Sequence, residues 1–313
     1  MKTTQKMVKK EQALPLYNKL SLYLKEHFGG GIWKVSLDAG LGCPGDTKGE
    51  RCVYCKPASI LPAAFKETGS ITEQMTAGME RLRKRHKARR FIAYFQSDTN
   101  TLGSINELRM IYKEAIDFPD VAVLAVSTRP DCLSDEVLDL LLEMKKELHI
   151  WLELGLQSSN DETLRRIKRG HSASDFADAV KRAKQRGIDV CAHLIFGLPG
   201  EGHLEMKESV RFISELGLWG VKFHQLQIFK GSEMEQAYKR GELTLLALDE
   251  YVEVVVDSIE ELSPEVIIHR LSAEAPLRML SPMVWDEGKF AIKDRIERLL
   301  KERQTYQGIR FER

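Results

Sequence analysis

The sequence has no apolar run approaching the ~20 residues needed to cross a bilayer as a helix, so a helical membrane protein is not expected. Its first ten residues, Met1 to Lys10, are polar and basic with no apolar stretch behind them. They read as a frayed tail and not as an export signal. Cysteine is scarce, and its count of five is odd, which argues against the disulfide framework of a secreted domain and for a reducing cytoplasm. Neither sign of charge dominates, and a net charge of +1 announces no nucleic-acid partner by itself. No internal repeat or low-complexity segment stands out, which argues against a solenoid.

What is present suits a large α/β domain or two smaller ones: 313 residues, 43% hydrophobic and 30% charged. Short apolar runs alternate with amphipathic helical patterns through the first two thirds. The strand-like runs are Ile32–Asp38, Phe91–Gln96, Val121–Ser127, Ile150–Leu156, Val190–Phe196 and Val221–Gln227. Ser70 with Glu73, and Ser104 with Glu107, have the spacing of capping boxes. Ser134, Asn160 and Ser174 are expected N-caps, and Gly187 a left-handed helix stop. Six strands alternating with helices, each strand a continuous apolar run, predict parallel pairing through right-handed crossovers. The expected fold class is therefore α/β: a partial (β/α)6 TIM-like barrel over residues 31–228. A helical extension precedes it at 1–30, and a small α+β extension at 229–313 caps its mouth, with a helix near Leu248–Leu262, a short strand Val266–His269 and a last helix near Asp286–Glu302. In such sheets ligands sit at the carboxyl ends of the strands.

Cys132 and Cys191 stand far along the chain among apolar residues and read as ordinary buried thiols. The other three cysteines crowd into thirteen positions: Cys43-Pro-Gly-Asp-Thr-Lys-Gly-Glu-Arg-Cys52-Val-Tyr-Cys55, directly after the first strand. Three thiolates on one loop can hold three corners of an iron–sulfur cube and leave the fourth iron open for a small molecule. Zinc is the competing reading, but it normally asks for four ligands, often as two Cys-x2-Cys pairs. Only one such pair is present, and His27 is the sole histidine close in sequence.

With these residues in place, the chain resembles the radical S-adenosylmethionine (SAM) enzymes. Their common spacing is Cys-x3-Cys-x2-Cys. The eight-residue first gap here is similar to the branch of the elongator catalytic subunit and its bacterial YhcC/YtqA-type relatives. Ser127 to Asp131, Glu153 to Ser158, Ile167 to His171 and His193 to Glu201 match that branch too, and the likeness covers about residues 14 to 285. It implies a [4Fe-4S] cluster on Cys43, Cys52 and Cys55, with S-adenosyl-L-methionine chelating the open iron. A reductant such as flavodoxin or ferredoxin would drive cleavage to methionine and a 5′-deoxyadenosyl radical, which abstracts a substrate hydrogen.

The resemblance also implies a set of cofactor-binding residues. Tyr54 fills the aromatic slot beside the adenine. Gln96, Ser97, Asp98 and Thr99 align with the Gly-rich segment that meets the methionine amino group, the first three standing in for glycines. Gln157 and Arg169 align with the ribose- and carboxylate-contacting residues of coproporphyrinogen-type enzymes, and His193 stands where those carry an acid. Pro199, with Gly200, shapes the turn after the fifth strand. Ser127, Arg129 and Glu153 complete the set. Taken alone, Gln157 has a lesser alternative as a cap and Arg169 as a cation complementing a helix dipole, while His193 reads equally as a core histidine. Glu153 lies in an apolar strand, where an unpaired carboxylate is costly, so a partner is expected.

Arg81, Arg83, Lys84, Arg85, Lys87, Arg89 and Arg90 put seven basic side chains into ten positions, and Arg165 to Arg169 forms a second cluster. Both suit a phosphate backbone or, equally, a solvated helix face. The elongator-like branch acts on the wobble uridine of tRNA, so tRNA is the substrate the resemblance implies. No acetyltransferase segment follows residue 313, and a smaller conversion of a C5 substituent is expected. A small-molecule or protein substrate is the alternative, and an RNA-binding scaffold with a vestigial cluster a third. Oligomeric state is not readable from the sequence.

Overall fold

A computed structural model describes residues 15–49, 51–55, 69–282 and 285–312. The tail expected at Met1 to Lys10 lies outside the described residues. Seven strands, β1 (Ile32–Leu37), β2 (Arg90–Phe95), β3 (Val121–Thr128), β4 (His149–Gln157), β5 (Asp189–Phe196), β6 (Gly220–Gln225) and β7 (Ile267–Arg270), form one parallel sheet in chain order. The sheet curls into a half-barrel with helices on its outer face. The six expected strands are all present, and β7 extends them by one. That strand, assigned above to the extension, pairs with β6 through Gly220–Ile267 and Val221–Ile268 and satisfies an edge that would otherwise stay open. Its own outer edge is covered in turn, because the Ile268 N–H donates to the Asn18 carbonyl at 2.7 Å.

The crossover helices start where side chains meet their first free N–H groups. Ser70 opens α3 (Ile71–His86), accepting from the Glu73 N–H at 3.2 Å while Glu73 accepts from the Ser70 N–H at 2.8 Å. Ser104 caps α4 (Ile105–Ile116), Ser134 caps α5 (Asp135–Met144), and Asn160 caps α6 (Asp161–Arg166). The expected Ser174 cap is corrected to Ser172, whose hydroxyl accepts from the Asp175 N–H while its own N–H donates to the Asp175 carboxylate. Ser174 already lies inside α7 (Ala173–Gln185). Gly187 is left-handed, at φ 64°. After β5 come α8 (His203–Glu215), then α9 (Glu233–Lys239), α10 (Leu248–Glu261) and α11 (Lys289–Glu302).

Alternate strand residues face opposite sides. Outward ones pack with the helices into the main core, which includes Phe91, Phe95, Leu152, Phe176 and Phe223. Inward ones at the amino end (Ile92, Val123, Trp151 and Ile267) meet Leu20 and Leu24 of α1 (Leu20–Phe28). α1 thus plugs the amino end of the half-barrel, leaving the carboxyl end open. Among the described residues no helix is long and apolar enough to cross a membrane.

Candidate active site

The loop after β1 is fixed from several sides. Gln74 of α3 exchanges two hydrogen bonds with the Asp38 backbone, both 2.9 Å. The Thr99 N–H donates to the Gly42 carbonyl. Cys43 precedes the short helix α2 (Pro44–Lys48), and its N–H donates to the Asp46 carboxylate at 3.0 Å. Farther on, the Val53 N–H donates to the Ile167 carbonyl and its carbonyl accepts from the Met234 N–H. So held, Cys43, Cys52 and Cys55 all border one cavity of about 270 Å³ at the carboxyl ends of the strands. Among the described residues no group of three His, Cys, Asp or Glu gathers tightly enough for a single metal ion. Three spaced thiols suit the corners of a cluster better than one zinc centre. Burial pushes the Cys55 thiol up to about 11, with Cys52 adding to it, so ligation there would have to displace a firmly held proton.

Of the residues expected to bind cofactor, Tyr54, Gln96, Asp98, Thr99, Ser127, Arg129, Glu153, Gln157, Arg169 and His193 border this cavity. Ser97 and Pro199 do not. The Ser97 carbonyl accepts from Asn100 Nδ2 at 2.8 Å and turns the loop, and the Pro199 carbonyl accepts from Arg166 Nη1 at 2.6 Å. Arg169 is buried and serves no exposed helix end. Its Nη1 lies 3.8 Å from Cys52 Sγ and its Nη2 donates to the Gly155 carbonyl at 2.8 Å. Gln157 has φ 75° where the β4–β5 register slips. Gly155 leaves room beside it: a Cβ there would stand 2.5 Å from Arg169 Nη2 and 2.6 Å from Gln157 Nε2, so both side-chain tips would have to move. Arg129 is held by a two-pronged pair with Asp131, at 2.9 and 2.8 Å. The expectation of buried thiols fits Cys191, which is fully buried, while Cys132 is half-buried.

Below the cysteines lies a buried polar network centred on Glu153. Its carboxylate accepts from Lys222 Nζ, from the Tyr94 hydroxyl at 2.5 Å, and from Trp151 Nε1 at 3.2 Å. His193 Nε2 stands 2.9 Å away and Lys34 Nζ 3.4 Å away. Burial alone would raise the Glu153 pKa, but the cations of Lys222 and Lys34 and the His193 hydrogen bond hold it well below the carboxylate range. Sequence reasoning asked for a partner for Glu153 and missed which one. The signal was there: Lys222 interrupts the apolar run of β6 as Glu153 interrupts that of β4. His224 and Arg270 also border the cavity and were likewise missed.

The basic cluster takes a different place. Arg81, Arg83, Lys84, Arg85, Lys87, Arg89 and Arg90 are exposed, but they end α3 and enter β2, with the Arg89 N–H bonded to the Gly31 carbonyl just before β1. That is the amino end of the strands. A six-residue strand, roughly 20 Å long, separates them from the cysteine loop. Arg165, Arg166 and Lys168 stand at the carboxyl end, engaged by Glu162 and Glu233.

The Radical SAM superfamily signature matches residues 40–213, more than half of the chain, and the Radical_SAM C-terminal domain matches 218–302. The chain is 34% identical to YtqA of Bacillus subtilis over 300 residues, 95% of this chain and 93% of that protein. It is 31% identical over 140 residues to the tRNA uridine(34) acetyltransferase of Methanocaldococcus infernus, 42% of this chain and 25% of the relative. Among solved structures, the archaeal Elp3 of Methanocaldococcus infernus superposes with a TM-score of 0.71 at 20% identity, covering 89% of this chain and 64% of that one. A signature over most of the half-barrel and a full-length relative above 30% identity lead to one conclusion: the chain belongs to the radical SAM superfamily.

Proposed function

We propose that the chain uses radical chemistry to modify the C5 side chain of a tRNA wobble uridine. Enzymes of this superfamily use a [4Fe-4S] cluster and SAM, and the residues at the cavity suit both. Cys43, Cys52 and Cys55 would hold the cluster, with the Arg169 guanidinium beside Cys52 to balance thiolate charge. Tyr54, Gln96, Asp98, Thr99, Ser127, Arg129, Gln157 and Arg169 would hold SAM. When bound, the cluster supplies the electron that splits SAM. The chain's own share is to orient these groups, while the plug of α1 at the amino end closes the half-barrel to water from below. A cytoplasmic setting would suit this reading, because the thiols must stay reduced and a donor such as flavodoxin or ferredoxin must supply the electron.

The observation that carries the uridine reading is the identity with a protein named for tRNA uridine(34) chemistry. A base reaching this cavity must leave its stack. The second reading, a small-molecule or protein substrate, is favoured by the position of the α3 basic cluster at the far end of the barrel. The test is anaerobic. Protein reconstituted with iron and sulfide is reduced and given SAM, and 5′-deoxyadenosine is quantified with and without bulk tRNA. The Cys43→Ala/Cys52→Ala/Cys55→Ala variant is the control. Cysteine-dependent product that rises with tRNA is the expected outcome. Product indifferent to tRNA would favour the second reading.

A further inference from the structure

The side of the cavity away from the cysteines carries two carboxylates, Glu153 and Glu274, and both are already engaged, Glu274 by Lys289 at 2.5 Å. Glu153 is already shared by Lys222, Lys34 and His193. Arg270, the last residue of β7, borders the same cavity, and its guanidinium makes no hydrogen bond or ion pair among the described residues. His224, two residues beyond Lys222 on the same face of β6, also borders it, with Nε2 buried and without a partner. A cation and a polar nitrogen left this way in a half-enclosed space are costly unless something fills them.

The backbone aims Arg270 there by a specific device. Ile267 faces the interior with Trp151, and Ile268 faces the outer core. Strict alternation would therefore put His269 inside and Arg270 outside. The β6–β7 register slips by one residue after Val221–Ile268, so that Lys222 pairs with Arg270. His269 still packs on Trp151, at 5.7 Å between ring centroids, and the extra residue returns Arg270 to the inner face beside Lys222, as bulges do. The anionic groups expected at the cysteine end have their own cation in Arg169.

We propose that Arg270, with His224 and Lys222, binds an anionic group of the substrate, a carboxylate or a phosphate. The planar guanidinium fork suits the two oxygens of either. The inference rests on the cavity being the active site and names the chemistry of what enters it. For a uridine in RNA, the anion is either a backbone phosphate or a carboxylate on the C5 substituent.

The test uses simple anions on the full chain. Thermal unfolding is followed in chloride, acetate and phosphate at matched ionic strength for wild type, Arg270→Met and Arg270→Lys, with Arg270→Gln in place of Arg270→Met if that variant does not fold. Because a ligand of the native state raises Tm, acetate or phosphate should raise the wild-type Tm by about 2 °C or more beyond its rise in Arg270→Met. Arg270→Lys should keep part of the gain. A gain in phosphate alone identifies a backbone phosphate, and a gain in acetate a carboxylate. Equal salt effects in wild type and Arg270→Met would overturn the proposal. The tRNA reading fails separately: an Arg270-dependent anion effect in a protein whose SAM cleavage ignores tRNA would overturn that reading and leave the anion site standing.

Discussion

Burial draws the Lys222 ammonium down to about 7 against the pull of Glu153, and Lys34 and Arg270 push it the same way. Such a pair is a liability when half of it is removed. Glu153→Gln removes the anion that holds the Lys222 proton and weakens the acceptor shared by Tyr94 and Trp151 in a closed space, and the expected loss is about 3–5 kcal/mol in urea unfolding. Glu153→Gln/Lys222→Met removes both charges and should recover most of that loss, because the amide still accepts from Tyr94 and Trp151 and no unpaired amine is left beside it. If the double variant is no more stable than the single one, the two charges do not act as a unit. From the sequence, the need for a partner at Glu153 was clear and its identity was not, because β4 and β6 touch through β5 only after the sheet has curled.

Glycine 155 shows how an element can serve a site with no side chain of its own. It lies in β4 where the register with β5 begins to slip, and its missing Cβ is what lets Arg169 and Gln157 converge. Gly155→Ala should push both aside and weaken SAM binding to the cluster-loaded protein by about tenfold, roughly 1.4 kcal/mol, with the far-UV circular dichroism unchanged. Unaltered binding of labelled SAM would show that neither residue holds the cofactor. Much at this scale was readable in advance, because capping and hydrophobic runs are local: Ser70, Ser104, Ser134 and Asn160 begin the helices they were expected to begin. Ser174 failed because two serines and an aspartate lie within four residues, and only the one three positions before Asp175 can form the reciprocal pair. Bulges were not readable at all. The slips that shape Gln157 and Arg270 depend on a neighbouring strand, which no local pattern reports.

For the molecule as a whole, alternation of strand and helix announced the half-barrel, while the seventh strand and the far placement of the α3 cluster depended on how the chain closes. Closure also buries histidines, four on strands and His171 in the loop before α7, and this gives the protein a distinctive response to acid. Burial holds His149, His171 and His193 down to about 4, and His224 and His269 well below the usual range. In the unfolded chain each binds its proton near ~6.5. Between about 6.5 and 4 the unfolded state therefore holds more protons, and stability falls as pH drops through that window, by up to ~1.4 kcal/mol per pH unit for each histidine. The urea midpoint should accordingly decline from pH 6.5 to pH 5, above the range where most carboxylates titrate. His149 supplies the internal check. Its ring sits among Tyr23 and Phe28 of α1, Trp151 and Trp219, at centroid distances of 5.8–6.2 Å, far from the cysteines, so His149→Phe tests the effect without touching the site. That variant should shallow the decline, because one buried proton acceptor is gone while the aromatic plug under the barrel is kept. A midpoint flat between pH 7 and 5 in wild type, or a slope unmoved by His149→Phe, would mean that these rings take up protons without unseating α1.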